Sequence, residues 1–239
     1  MRWLTRQAAG AWILVMLSAG SASAAPLQPG RGRIHIPARA RQLIVVSSPS
    51  LDPASHLATL RAYVRSGPDA SWQLRFGPWP AEVGYSGLHN HRHEGDGSTP
   101  TGVYGLDSTL YGNRPRPRGL HFRYHQLVCG DWWDEDPYSP LYNRFVHVPC
   151  GTRPGFAAGS EALWTERVAY PYFAALRFNV DPVHAGAHAP GSAIFLHGWV
   201  GGPTAGCVAV RDARLLALLR WIRPARHPTV AIGTRAQLY

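Results

Sequence analysis

The chain has 239 residues, enough for one large domain with a real hydrophobic core. Its formal net charge is +10, and every one of its 24 basic side chains is an arginine. These arginines are scattered and form no recognisable nucleic-acid-binding motif, so the composition indicates a soluble basic surface and excludes nucleic acid as the expected partner.

The N-terminus has the pattern of an export signal. Arg2 and Arg6 precede an apolar run at residues 8–17, and small residues follow at 21–24. This order is typical of a secretory signal peptide, which we predict over residues 1–24. An uncleaved anchor is the alternative, although the run is short for a membrane span. After cleavage, no other apolar stretch could cross a membrane.

The remaining chain predicts a mainly β fold. Residues 25–41, rich in Pro, Gly and Arg, are predicted to be an extended leader, and residues 42–239 a single domain. The predicted strands are 43–46, 72–76, 103–106, 145–148, 172–180 and 229–233. Apolar residues recur at mixed spacing over 56–65, which does not separate a strand from a helix. Gly77-Pro78 is expected to end the strand at 72–76. Many short strands with few helices favour a β-sandwich.

Two helical segments are predicted in this β-rich chain. Residues 161–167 are interpreted as a short helical turn. The clearer case is an amphipathic helix over 211–222, because Leu215, Leu218 and Leu219 recur at three- and four-residue spacing. We therefore expect one substantial helix, close to the C-terminus.

A histidine-rich loop precedes the predicted strand at 103–106. His89, His91 and His93 alternate, and alternate histidines on an extended segment could bind a transition metal. The interpretation we prefer is a solvated loop that turns at the Gly-Asp-Gly of residues 95–97, with neighbouring carboxylates fixing it.

The three cysteines divide into a pair and an odd one. Cys129 and Cys150 flank one segment, and each lies beside a glycine, so we expect them to form a disulfide in an exported chain. This leaves Cys207 as a free and reactive thiol. The alternatives are a disulfide that includes Cys207, or three inert buried thiols.

The stretch from 191 to 210 organises the functional hypothesis. An apolar run ends at His197-Gly198, a Gly/Pro loop follows, and Thr204-Ala205-Gly206 leads into Cys207. An imidazole near a thiol provides the base that a cysteine nucleophile needs. The backbone N–H groups of Gly206 and Cys207 could stabilise an oxyanion.

This stretch resembles the active-site signature of the L,D-transpeptidase (YkuD, or ErfK/YbiS-type) catalytic domain: His-Gly, a spacer, then Ser/Thr-x-Gly-Cys. The similarity extends over residues 40–233 and is typical of one secreted branch of that family. Its further motifs are Gly77-Pro78, Glu94-Gly95-Asp96-Gly97, Thr99-Pro100-x-Gly102, Trp132-Trp133, Asp136 with Ser139-Pro140, Tyr142-Asn143 and Glu161-x-Leu163-Trp164.

Two positions depart from the pattern of the family. Many members carry a second His directly before the Gly-Cys pair, where this chain has Ala205. Many also carry Arg or Asn shortly after the cysteine, where Val208 and Ala209 stand here.

The resemblance implies a β-sandwich catalytic domain over residues 42–239, with a Cys-His site in a cleft and no metal or cofactor. It also implies that residues 56–65 form a strand, as the second of two initial antiparallel strands. Cys207 would be the nucleophile and His197 the base, with the backbone at Gly198 orienting the imidazole because no Asp or Asn is close in sequence. The residues expected to bind substrate or the oxyanion are Thr204, Ala205, Gly206, Trp199 and Asn179.

The implied substrate is a peptidoglycan stem tetrapeptide in the periplasm or cell wall. Cleavage before its terminal D-Ala would give a thioester, which the side-chain amine of a neighbouring stem resolves as a cross-link between third residues. The alternatives are an L,D-carboxypeptidase that uses water, hydrolysis or amidation of another exported peptide, an inactive wall-binding module, and a metal protein using the histidine loop. The sequence does not indicate an oligomeric state.

Overall fold

The computed structural model describes residues 27–157 and 159–239, so the predicted signal peptide at 1–24 lies outside the described residues. In chain order the strands are β1 Gln42–Ser48, β2 Leu57–Val64, β3 Gln73–Glu82, β4 Leu88–His89, β5 Thr99–Pro100, β6 Gly102–Gly112, β7 Arg123–Gln126, β8 Asp131–Asp134, β9 Arg144–His147, β10 Glu161–Ala162, β11 Phe173–Leu176, β12 Phe195–Gly198, β13 Val208–Val210 and β14 Thr229–Thr234. The helices are α1 Asp212–Trp221 and α2 Arg235–Leu238, with a 3₁₀ turn at Pro224–Arg226. The predicted mainly β class is confirmed.

Nine strands form one sheet in the order β11-β12-β13-β3-β2-β1-β14-β6-β7. Because β11 also pairs with β6, this sheet closes on itself into a barrel-like sandwich. Strand β14 lies between β1 and β6, so the C-terminal strand is central to the sheet. A separate three-stranded sheet, β10-β8-β9, covers part of the outside.

Three hydrophobic cores follow from the alternation of side chains along the strands. The largest lies inside the closed sheet and includes Leu196, Val208 and the buried leucines of α1, which confirms the predicted helix. A second core lies between β11–β12 and the three-stranded sheet and contains Phe195 and Cys207. A third lies between β1–β14 and the leader.

The predicted end of β3 was wrong, because the strand continues through Gly77-Pro78 to Glu82. Leu60 pairs with Trp79 and Ala62 with Phe76, so β3 carries one extra residue at this point. Such a bulge accommodates a proline, which has no N–H for the ladder, without ending the strand.

Three other segments differ from the sequence prediction. Residues 161–167 form β10 and turns, so the predicted helical turn was wrong; Glu161 instead pairs with Trp133. Strand β6 extends well beyond 103–106. Strand β11 is shorter than 172–180 and is buried along its whole length, because cores cover both of its faces.

The described part of the leader packs on the C-terminus. The Gly30 N–H donates to the Leu238 carbonyl at 2.8 Å, and the Ile34 N–H donates to the Gln237 carbonyl at 2.8 Å. Thr234 and Gln237 form a capping box that starts α2, a helix that the sequence analysis missed. Across residues 27–157 and 159–239, no helix has the length and apolar character needed to span a bilayer.

Candidate active site

The pairing of β12 with β13 places the predicted nucleophile and base on one face of the sheet. The strands run parallel, with His197 opposite Ala209. Since side chains alternate along a strand, Leu196 and Val208 enter the interior core, while Phe195 and Cys207 belong to the outer one. His197, two residues after Phe195, lies on the same outer face.

A cavity of about 580 Å³ opens beside these residues. Both Cys207 and His197 line it, together with Thr204 and Ala205 from the connecting loop. The other lining residues are Tyr85, Arg92, Glu94, Gly95, Glu135, Glu161, Glu166, Val168, Ala169, Tyr170, Ser192, Ala193, Val200 and Pro203. The site therefore has a volume suited to a peptide-sized ligand.

The Cys207 thiol is free and buried. Its Sγ donates to the Ala193 carbonyl and accepts from the Phe195 N–H, both at 3.2 Å. Burial, followed by the charge of Glu161, raises the pKa of Cys207 well above its usual range. The sulfur is therefore a protonated thiol in this state, held by backbone groups rather than by the imidazole.

His197 is buried and neutral at physiological pH. Its Nδ1 lies 2.6 Å from the Gly198 carbonyl oxygen, and a carbonyl can only accept, so Nδ1 carries the proton and Nε2 has a free lone pair. Burial lowers the pKa of His197 to about 4, against the opposing effect of the Gly198 and Ala169 carbonyls. The ring of Tyr170 packs edge-on against the imidazole at 5.4 Å.

The loop before the cysteine is tied together by Thr204. Its Oγ1 donates to the Cys207 carbonyl at 2.7 Å and accepts the Gly206 N–H at 3.1 Å. Gly206 has a φ of 141°, and a Cβ there would lie 2.9 Å from the Ser98 carbonyl oxygen, so only glycine fits. The Gly206 N–H is thus occupied in this state.

Two residues expected to bind substrate lie outside this cavity. Trp199 is 40% exposed and lines a smaller pocket beside Arg211. The Asn179 amide donates to the carbonyls of His184 and Gly191, which ties together the loop after β11. The structure therefore brings six of the eight expected site residues together: Cys207, His197, Gly198, Thr204, Ala205 and Gly206.

The predicted disulfide between Cys129 and Cys150 is present, which leaves Cys207 as the free thiol among the three cysteines. The bridge ties the start of β8 to the segment that follows β9. It therefore fixes the three-stranded sheet that covers the outer core.

The sequence analysis missed the carboxylates that surround the thiol. Burial, with the charge of Glu161 next, raises the pKa of Glu135 to about 9, and burial raises the pKa of Glu161 to about 7. The Tyr170 hydroxyl donates to Glu161 Oε1 at 2.7 Å. The Glu161-x-Leu163-Trp164 motif identified this segment in the sequence. Because the segment was predicted to be a helical turn, the position of the Glu161 carboxylate beside the thiol was not predicted.

Asn143 supports the wall of the cavity. It is buried, and its Oδ1 accepts the Ala193 N–H at 3.1 Å and the Trp133 indole N–H at 3.0 Å. Its amide nitrogen donates to the carbonyls of Phe178 and Asn179. Because the Ala193 carbonyl holds the thiol of Cys207, Asn143 acts on the sulfur through this backbone.

The histidine loop is only partly solvated. His89, His91 and His93 are exposed, and no group of three potential ligands able to hold a metal ion occurs within residues 27–157 and 159–239. Asp96 fixes the loop by accepting from the His93 N–H and from Ser98. Arg92, however, is buried, so the interpretation of this whole segment as solvated was wrong.

A comparison with known families completes the description of the site. The family model described as YkuD, L,D-transpeptidase catalytic domain, matches residues 43–235. No curated protein and no solved structure matches the chain.

Proposed function

Because the chain belongs to the L,D-transpeptidase catalytic domain family, we propose that it is an exported cysteine acyltransferase acting on stem tetrapeptides of peptidoglycan. Enzymes of this family act on peptidoglycan peptides. In our proposal Cys207 is the nucleophile and His197 the general base and acid, and the reaction releases D-Ala and forms cross-links between third residues.

The observation that supports this proposal best is the shared cavity of a free thiol and a neutral imidazole. Cys207 and His197 both line it, and Nε2 of His197 has the lone pair that a general base needs. A pKa of about 4 leaves that nitrogen unprotonated at neutral pH, and it also makes the imidazole a weak base in this state. Transfer of the thiol proton therefore requires the bound substrate to bring the pKa values of His197 and Cys207 closer together.

Acylation begins when the thiol leaves the Ala193 carbonyl and gives its proton to His197 Nε2. The sulfur attacks the carbonyl carbon of the third stem residue, which forms the C–S bond. The C–N bond to D-Ala then breaks, and the departing amine takes the proton from Nε2. The products of this half-reaction are free D-Ala and a thioester on Cys207.

Transfer of the acyl group regenerates the enzyme. The side-chain amine of a neighbouring stem attacks the thioester carbonyl and gives a proton to His197 Nε2, and the C–S bond breaks as the new amide forms. The proton returns to the sulfur of Cys207. The backbone N–H groups of residues 205–207 are the proposed oxyanion donors, because the Thr204 N–H donates to the Val83 carbonyl. Use of the Gly206 N–H requires it to leave Thr204 Oγ1.

Two features of the protein favour an enzyme over an inactive wall-binding module. A binding module does not require a free thiol and an imidazole in one cavity, yet both are present. Water as the acceptor would make the protein an L,D-carboxypeptidase through the same thioester.

The predicted signal peptide at 1–24 would deliver the enzyme to the periplasm or cell wall.

The test is incubation of the mature chain with a defined disaccharide-tetrapeptide, followed by mass analysis of the products and of the protein. Transpeptidation gives a dimer and D-Ala, whereas carboxypeptidase activity gives D-Ala without dimer. The Cys207→Ala variant serves as the control and should release no D-Ala. Release that persists in this variant would refute the assignment of the nucleophile.

A further inference from the structure

A buried arginine lines the same cavity as the nucleophile. Arg92 lies in the loop between β4 and β5, and its side chain is only 3% exposed. It lines the cavity together with Cys207 and Ser192. The deep position of a permanently charged group distinguishes Arg92 from the exposed arginines elsewhere on the described surface.

The guanidinium of Arg92 is short of partners. Its Nε and Nη1 are buried and have no hydrogen-bond partner among the described residues. Asp96 Oδ1 lies 3.5 Å from Nε, but this oxygen already accepts from the N–H and hydroxyl of Ser98. The ring of Phe178 lies 5.5 Å from the guanidinium carbon and cannot accept an in-plane N–H.

A buried guanidinium with unpaired N–H groups is costly, because charge taken out of water needs both an opposite charge and hydrogen bonds. The planar group is suited to donate two parallel hydrogen bonds to a carboxylate. An anionic ligand in the cavity would therefore add an opposite charge beside the guanidinium of Arg92, on the side where Nη2 faces Gly206.

Among the described residues, none of the four glutamates that line the cavity forms an ion pair with Arg92. Glu94 already accepts from the hydroxyls of Tyr142 and Ser192. Glu135 is held largely neutral at physiological pH, because burial raises its pKa to about 9. Asp96, 3.5 Å from Nε, is thus the only carboxylate that pairs with Arg92 among the described residues, and it leaves Nη1 without a hydrogen bond.

The position of the guanidinium relative to the sulfur is set by two glycines. A Cβ on Gly206 would lie 3.5 Å from Nη2, and a Cβ on Gly191 would lie 2.1 Å from Nη1. The absence of a side chain on Gly191 therefore leaves space for Arg92. Nη2 of Arg92 lies beside Gly206, the residue that precedes Cys207. A group bound by Arg92 would lie within a residue or two of the scissile bond.

We propose that Arg92 is the residue that binds a carboxylate of the peptide substrate beside Cys207, an inference that rests on the proposed function. Two carboxylates of a stem peptide could supply this group. One is the terminal carboxylate of the D-Ala that is released, and the other is the carboxylate at the side-chain end of a diaminopimelate third residue.

The experiment compares matched substrates on the mature protein. Tetrapeptides carry a terminal carboxylate or a terminal amide, and diaminopimelate or lysine at the third position. The release of D-Ala or its amide is measured with the native chain, Arg92→Gln and Arg92→Lys. Arg153→Gln, at an exposed position that loses the same charge, is the matched control.

The native chain should prefer one carboxylate-bearing substrate over its neutral counterpart by about 10- to 100-fold, the range expected for hydrogen bonds to a charged group. Arg92→Gln should reduce that ratio to about 1, Arg92→Lys should retain part of it, and Arg153→Gln should leave it unchanged. The carboxylate that Arg92 binds is identified by the pair of substrates whose ratio of release rates falls to about 1 in Arg92→Gln. Because each ratio is measured within one variant, partial misfolding does not alter it.

A second experiment, which measures binding without turnover, separates this inference from the proposed function. In the Cys207→Ala background, calorimetry measures the affinity for the same four peptides with and without Arg92→Gln. Turnover with ratios unaffected by Arg92→Gln overturns the inference and leaves the function standing. Binding that depends on Arg92 without turnover by the native chain supports the inference and refutes the function. Absence of both binding and turnover refutes both.

Discussion

The two faces of the β12–β13 pair divide packing from chemistry. Leu196 and Val208 face the interior core and pack among buried hydrophobic side chains, whereas His197 and Cys207 face an outer core that ends in a cavity with four carboxylates. The backbone that positions both faces is the same. The interior face can therefore hold the strands rigid while the outer face tolerates buried polar groups.

The strongest way to test this division is His197→Gln, which keeps a polar side chain on the outer face but removes the base. We expect the rate of Cys207 acylation to fall by about 10²- to 10⁴-fold, the usual contribution of general base catalysis. The unfolding temperature should change little, because the interior core is untouched. Intact-mass measurement of the acyl-enzyme in a single turnover gives the rate, and a loss below tenfold would contradict the assigned base.

Leu196→Ala makes the opposite change on the adjacent residue. Leu196 is 1% exposed, and truncation of such a side chain costs about 2–5 kcal/mol of unfolding free energy. Denaturant titration measures this loss. A thiol-reactive β-lactam that labels Cys207 counts the folded molecules. The acylation rate per folded molecule should stay within about twofold of the native value. A rate loss as large as that of His197→Gln would show that the two faces are not separable.

The features that the sequence predicted well are those whose residues lie close together in the chain. The spacing of Leu215, Leu218 and Leu219 predicted α1, since a helical period needs no knowledge of the rest of the chain. The His-Gly and Thr-x-Gly-Cys motifs located the candidate site for a similar reason, because their residues are close in sequence.

The outer face was harder to predict because its burial comes from distant segments. Arg92 lies among polar residues and was interpreted as solvated, but Gly191 and Gly206 cover it from another part of the chain. Likewise Leu163 and Trp164 suggested a helical turn, yet the former enters the outer core and the latter packs edge-on against Trp132. Local pattern cannot report contacts of this kind.

Glu161→Gln sharpens the comparison by changing the charge on the outer face alone. After burial, the charge of Glu161 is the largest influence that raises the pKa of Cys207. Glu161 itself ionises near pH 7, so the variant should differ from the native chain mainly above that pH. At pH 8 we expect alkylation of Cys207 to be about 3- to 10-fold faster, since one pKa unit is a factor of ten.

Iodoacetamide labelling followed by intact mass measures this rate. Glu166→Gln removes an exposed carboxylate of the same cavity, where solvent screens the charge, and should have a smaller effect. Equal rates for Glu161→Gln and the native chain at pH 8 would show that Glu161 does not influence the sulfur.

The smallest expected effect concerns stability. Burial, with Glu161 next, raises the pKa of Glu135 to about 9, so the folded protein binds more protons than the unfolded chain between about pH 4.5 and 9. Stability contributed by the protonated carboxyl is therefore present at low pH and is lost as the pH rises through this window. Glu135→Gln removes the dependence.

We expect the Glu135→Gln variant to unfold at the same temperature as the native chain near pH 4.5 and at least about 2–4 °C higher at pH 8.5, since each kcal/mol of stability shifts the midpoint of a chain of this size by about 2–4 °C. Calorimetry at the two pH values measures the difference, with Glu166→Gln as the exposed control. A variant that is less stable than the native chain at pH 8.5 would mean that the Glu135 carboxylate is paired in the folded protein. The outer face would then stabilise an ionised carboxylate instead of favouring its neutral form. Burial of charge would in that case no longer destabilise the outer face relative to the interior.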